Sequence, residues 1–220
     1  MFIGHFAPAL VAAAHPKAPK LGTLFVAAQL VDFAFFGLAL IGVEKMRIVS
    51  GMTAMNGMDL YYMPYTHSLL GGGVWALVFG ALIYAFSRSR TGALIGAAVV
   101  ISHWFADLIV HAPDLTLAGS PPKLGFALWN YPLIEMPLEL GITGAALGYY
   151  AVKTRSADGG NMRVWILGGA LLLVQIYNWL APEPEAFTAA LPISALLAFA
   201  VFAGLAAWAG SARRSAVIDK

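Results

Sequence analysis

Cysteine is missing from all 220 residues. There are therefore no disulfides and no thiolate ligands, and any bound metal must be held by His, Asp or Glu. Charge is scarce as well. Only 11% of residues are Asp, Glu, Lys or Arg, against about 25% in ordinary soluble domains. Hydrophobic residues make up 60%, the composition of a membrane protein. The formal net charge of +2 is too small to suggest nucleic acid as a partner, and the basic residues read better as topology signals. No Lys or Arg precedes the first apolar stretch, as a signal peptide would need. Despite Ala12-Ala13-Ala14, which looks like a cleavage site, we expect this segment to belong to the mature protein. No internal repeat or low-complexity segment stands out.

What is present is a series of apolar runs. Residues 3–14 end at His15-Pro16. About twelve helical residues rise about 18 Å, too little for a hydrocarbon core of about 30 Å, so this run predicts a half-helix. Six longer runs follow, at about 21–43, 66–86, 92–112, 126–152, 164–180 and 190–209. The expected fold is all-α: one integral membrane domain of six transmembrane helices plus the N-terminal half-helix. A polar loop rich in Met and Tyr, 44–65, separates the first two spans.

With six spans, ten of the thirteen Lys and Arg residues fall on one side: Lys17, Lys20, Arg88, Arg90, Lys153, Arg155, Arg163, Arg213, Arg214 and Lys220. The other side holds Lys45, Arg47 and Lys123. The positive-inside rule then puts both termini in the cytoplasm. At about 1.5 Å per residue, Asp32 and His103 lie at similar depth near mid-membrane. His5 can reach the same level from the half-helix. Asp107, His111, His67, Glu135 and Glu139 fall toward the outer half.

His103, Asp107 and His111 recur every fourth residue of one run. On a helix each such step turns about 40° and climbs about 6 Å, giving a slanting stripe. Ionisable groups inside a membrane are rare and usually functional. Metal ligation explains the stripe better than interhelical hydrogen bonding or a proton relay, because a divalent cation satisfies carboxylates and imidazoles together. The stripe's ends are about 12 Å apart along the axis. Either Asp107 bridges two ions or only two of the three residues bind. His67 reads as a ligand or an interface residue, with Thr66 as a helix N-cap. Asp32 is a ligand or the group that holds a ligand histidine in its tautomer. His5 is a further candidate ligand, with a purely structural role as its alternative. Glu135 and Glu139 share a helix face, and one of them is the candidate general base for a metal-bound water; the alternative is a structural hydrogen bond. Gln29 and Gln175 read as interhelical glue, and the Gly92/Gly96 and Gly144/Gly148 spacings as close helix packing.

These pieces resemble a bacterial inner-membrane family described as LexA-regulated, membrane-associated metal-dependent hydrolases. The matching stretches are Gly4-His5-Phe6-Ala7, Asp32, Tyr65-Thr66-His67-Ser68-Leu69, Ser102-His103-Trp104-Phe105-Ala106-Asp107 with His111 and Asp114, and Leu128-Trp129-Asn130 followed by Glu139. They cover roughly residues 1–145. The resemblance implies a metal hydrolase, with His67, His103 and Asp107 as metal-site residues and Asp32, His111 and Glu139 as further ones. The expected function is hydrolysis of an ester or phosphoester by metal-activated water, at one or two divalent ions, most simply zinc. A site in the outer, periplasmic half suits a lipid or another amphiphile. Two other readings use the same residues: a metal or proton transporter, and a membrane subunit whose polar groups only pair helices. Apolar inner halves of the second and third spans favour a pocket over a channel.

Overall fold

The computed structural model describes residues 1–157 and 159–216; Lys220, counted above with the basic tail, lies outside them. The chain is mostly helical. A 3-10 turn, Ile3–His5, leads into α1 (Phe6–Ala12), followed by α2 (Leu21–Ala28), α3 (Leu30–Leu40), α4 (Leu69–Ser87), α5 (Arg90–Val110), α6 (Pro132–Lys153), α7 (Met162–Leu180) and α8 (Ala190–Ser211). Four of these helices, α4, α5, α7 and α8, are long and apolar enough to cross a membrane. A fifth span results if α2 and α3, bent by 51° at their junction, are counted as one. Helix α6 has the length, at 22 residues, but is not among the candidate spans; it carries Glu135, Glu139 and two prolines in its first half.

Local chemistry sets several boundaries. Ser68, not Thr66, caps α4, accepting from Gly71 N at 2.9 Å. Ser89 caps α5 in the same way, accepting from Gly92 N at 3.0 Å. Helix α5 stops at His111, whose backbone turns extended two residues before Pro113; the residue before a proline resists helical geometry and ends the run. Helix α6 begins only at Pro132, six residues later than the apolar run suggests, because Pro suits the first helical position. The 44–65 loop contains an antiparallel hairpin, β1 (Lys45–Ile48) with β2 (Met58–Tyr62).

The half-helix is the centre of the bundle. Phe6 and Leu10 of α1 are fully buried among Leu24 and Phe25 of α2, Val99 and Val100 of α5, Leu147 of α6, Leu167 and Leu171 of α7 and Phe202 of α8. Phe6 lies flat on Phe25, ring centroids 4.3 Å apart. Helix α2 presses closely on α8: a Cβ at Gly22 would stand 2.5 Å from the Ala207 Cβ. A Cβ at Gly96 would press on the Phe79 ring of α4, whereas a Cβ at Gly144 or Gly148 of α6 would meet nothing within 4 Å among the described residues.

The two ends of the bundle differ. At one, Ser215 donates to the Ala14 carbonyl and Gly92 sits against the Lys17 carbonyl. There β3 (Thr154–Ser156) pairs with β4 (Arg213–Ser215). Arg213 of that pair donates to the carbonyls of Ala151 and Thr154, covering acceptors left open at the end of α6. At the other end the hairpin and the 113–125 loop close over α3, α4 and α5. A second apolar cluster of Phe35, Met46, Leu60, Met63, Trp104 and Leu115 holds them down.

Candidate metal centre

Four elements deliver polar side chains to one buried point under that second cluster. The 3-10 turn brings His5, the first turn of α3 brings Asp32, and the approach to α4 brings His67. Helix α5 brings His103 and Asp107, and its terminus brings His111. Asp107 is the hub. Its Oδ1 lies 3.0 Å from His5 Nε2 and 3.3 Å from His111 Nε2. Its Oδ2 lies 3.0 Å from His103 Nε2 and 3.6 Å from His67 Nε2. Asp32 Oδ1 stands 3.4 Å from both His67 Nε2 and His103 Nε2. The Met1 amine is 3.7 Å from Asp107 Oδ1.

The second nitrogen of each imidazole decides what these contacts mean. His103 Nδ1 lies 2.8 Å from the Ala28 carbonyl, which only accepts, so Nδ1 carries the hydrogen. That carbonyl is free because α2 breaks one residue later; in an unbroken helix it would take the amide of residue 32. His111 Nδ1 lies 2.9 Å from Asp114 Oδ1, again an acceptor. His67 Nδ1 lies 2.8 Å from the Thr66 hydroxyl. Among the described residues, His5 Nδ1 has no hydrogen-bond partner. With neutral rings, His103 and His111 turn lone pairs at Nε2 toward carboxylate oxygens that also carry lone pairs.

That arrangement is repulsive unless something positive joins it. A proton on Nε2 or a metal ion would each relieve it; among the described residues neither Asp107 oxygen accepts a well-aligned hydrogen bond and His103 Nε2 makes none, although two of the contacts are only 3.0 Å long. Around a tetrahedral ion with bonds of about 2.0–2.1 Å, neighbouring ligand atoms lie roughly 3.3 Å apart, within the observed spread. The ligand atoms of His5, His103 and Asp107 lie within 4.8 Å of one another, as do those of Asp32, His67 and His103. These groups can hold a metal ion.

A cleft of about 70 Å³ reaches the cluster, enough for one or two waters. Asp32, His67, Asp107 and His111 form its polar floor, and Phe35, Phe36, Met58, Leu60 and Trp129 its apolar walls. Trp129 also lies against the His111 ring at 4.2 Å. The Asp32 side chain is 19% exposed, against 5% or less for the other cluster groups, so it marks the open side.

Glu135 and Glu139 do not join the cluster or line the cleft. Glu139 is committed elsewhere. Its Oε1 accepts from the amides of Phe2 and Gly4, the latter at 3.0 Å, and its Oε2 accepts from Gln175 Nε2 at 3.0 Å. Gln175 Oε1 takes the Ile3 amide at 3.4 Å, and Gln29 Nε2 donates to the Phe2 carbonyl at 3.3 Å. Three buried polar residues from separate parts of the bundle thus clamp the turn that carries His5. Glu135 is buried, and neither of its oxygens has a hydrogen-bond partner among the described residues. Sequence reasoning passed over Glu44, which receives the Thr66 hydroxyl at 2.6 Å. A single acid at a loop edge carries no pattern that would single it out. Set against protein-family models, curated proteins and solved structures, the chain matches none.

Proposed function

We propose that this protein is a membrane-embedded hydrolase that works through a divalent metal centre on an ester or phosphoester of a lipid or other amphiphile. The observation that carries the reading is the convergence of imidazole and carboxylate lone pairs on Asp107 without a hydrogen bond among them. Asp32, His67 and His103 with Asp107 Oδ2 would hold one ion; His5 and His111 with Asp107 Oδ1 would hold a second. Zinc suits the nitrogen-rich set. When bound, such ions supply Lewis acidity and acidify a coordinated water. The protein's own groups do the rest. Asp32 faces the cleft and can accept a proton there, the apolar walls receive the substrate's hydrocarbon, and Glu139 acts by placing His5. The resemblance to the inner-membrane hydrolases points the same way. It fits a bacterial inner membrane, with α6 as a further span to make six, both termini cytoplasmic and the cleft toward the periplasm.

A transporter using the same groups is the competing reading. The layer beyond the cluster, Phe6, Leu10, Leu24, Phe25 and Val100, is apolar and at most 1% exposed, which favours a closed pocket over a path. Elemental analysis of protein purified without chelator tests the proposal. Two zinc equivalents per chain are expected, together with zinc-dependent hydrolysis of fluorogenic phosphoester or ester amphiphiles. Metal-free wild type would overturn the metal reading. Ion flux in proteoliposomes, abolished by Asp107→Asn, would overturn the hydrolase.

A further inference from the structure

We infer that Glu44, outside the cluster, sets the tautomer of His67 through the Thr66 hydroxyl and so turns the His67 Nε2 lone pair toward the metal; this rests on the metal centre proposed above. Glu44 is 1% exposed and Thr66 is fully buried. The carboxylate receives three donors: the Tyr65 amide at 2.8 Å, the Thr66 amide at 3.0 Å and the Thr66 hydroxyl at 2.6 Å. Such bonds are what a buried anion needs to offset lost hydration. A hydroxyl has one hydrogen, and Thr66 spends it on Glu44. Only lone pairs remain for His67 Nδ1, 2.8 Å away, so that nitrogen must be the N–H. The neutral ring then offers Nε2 to the point shared with Asp32 and Asp107.

His67 differs here from its companions. The Ala28 carbonyl holds His103 and the Asp114 carboxylate holds His111, both fixed acceptors. A hydroxyl both donates and accepts, so Thr66 alone would leave His67 free to take either tautomer. Glu44 removes that freedom. It also places a carboxylate two hydrogen bonds behind the ligand, holding the ring in orientation.

Glu44→Gln puts this to a test that a packing role would not answer. The amide is nearly the same shape, and its oxygen can keep the two backbone donors. Its NH₂ then faces the Thr66 oxygen, turns the hydroxyl toward His67 Nδ1 and moves the ring hydrogen to Nε2. Long-range ¹H–¹⁵N correlation on metal-free protein reads the tautomer directly. The expected result is Nδ1–H in wild type and Nε2–H in Glu44→Gln, with zinc affinity weaker by about 10–100-fold in the variant. Thr66→Ser should match wild type in both measurements, and Thr66→Val should lose affinity without a fixed tautomer. An Nδ1–H ring with wild-type zinc affinity in folded Glu44→Gln overturns the inference. If Glu44→Gln does not fold, the Thr66→Ser and Thr66→Val pair decides by the same two readouts, and equal behaviour of the two overturns it. Wild type that binds no zinc defeats the metal centre, while the metal-free spectra still judge the relay.

Discussion

The imidazole of His5 lies flat on that of His103, with ring centroids 3.8 Å apart and planes within 5°. Two imidazolium cations at that spacing would repel strongly in a buried site. Two neutral rings, held as metal ligands in the way proposed above, would stack without that penalty. His67 and His111 form a second, looser stack at 5.9 Å, again with one member on each side of Asp107.

Removal of metal should loosen the fold. A ligand present at about 100 times its dissociation constant stabilises by about 2.7 kcal/mol, so chelation should lower the melting temperature by roughly 5–10 °C. Thermal unfolding in detergent, with and without chelator, measures this, and added zinc should restore the original value. Identical curves in all three conditions would speak against a resident ion.

The ligands should separate by stoichiometry. Asp107 touches both halves of the cluster, so Asp107→Ala is expected to lose both ions. His111→Ala should lose only the one it shares with His5, leaving a single equivalent by elemental analysis. Equal metal loss in the two variants would contradict the division along the two Asp107 oxygens.

Glu139 and Glu135 should behave differently although they are one turn apart. Glu139→Ala strands the buried amides of Phe2 and Gly4, at about 1–3 kcal/mol each, and frees the turn that holds His5. One metal equivalent should be lost along with stability. Glu135→Gln removes no hydrogen bond and should keep both ions. A Glu139→Ala protein with full metal content would show that the clamp does not position His5.

Helix packing should reach the metal as well. Gly22→Ala sets a methyl 2.5 Å from the Ala207 Cβ and 2.9 Å from the Ala203 carbonyl, so α2 and α8 must part, at a cost of about 1–3 kcal/mol. Helix α2 ends at the carbonyl that orients His103. The variant should therefore show weaker zinc binding together with a lower melting temperature; unchanged affinity would mean that the break absorbs the shift.

Much of this was legible in sequence, for identifiable reasons. His103, Asp107 and His111 declared themselves because a four-residue spacing has one meaning on a helix. Asp107 was expected at the centre because the stripe is too long for one ion, and each of its oxygens does face different histidines. The apolar runs gave α4, α5, α7 and α8 within about three residues at each end. The break at Gln29 was not visible, since one polar residue in an apolar run reads as an interhelical contact. Gln29 does make such a contact, to the Phe2 carbonyl. The hairpin was hidden because a polar loop rich in Met and Tyr has no clear alternation. Glu139 was expected near the chemistry because acids in apolar runs usually are; it is close, but spent on backbone amides, and no local pattern distinguishes the two uses.

The bend between α2 and α3 has a consequence for any mutational survey of this protein. The atom that aims His103 belongs to the main chain, so no exchange of side chain at position 28 can delete it. A scan of that position would report only on bulk and would miss the role entirely. The sensitive lever is the path of the backbone. Residues that straighten or stiffen the kink around Gln29 would return the carbonyl to its own helix and leave the histidine without its guide.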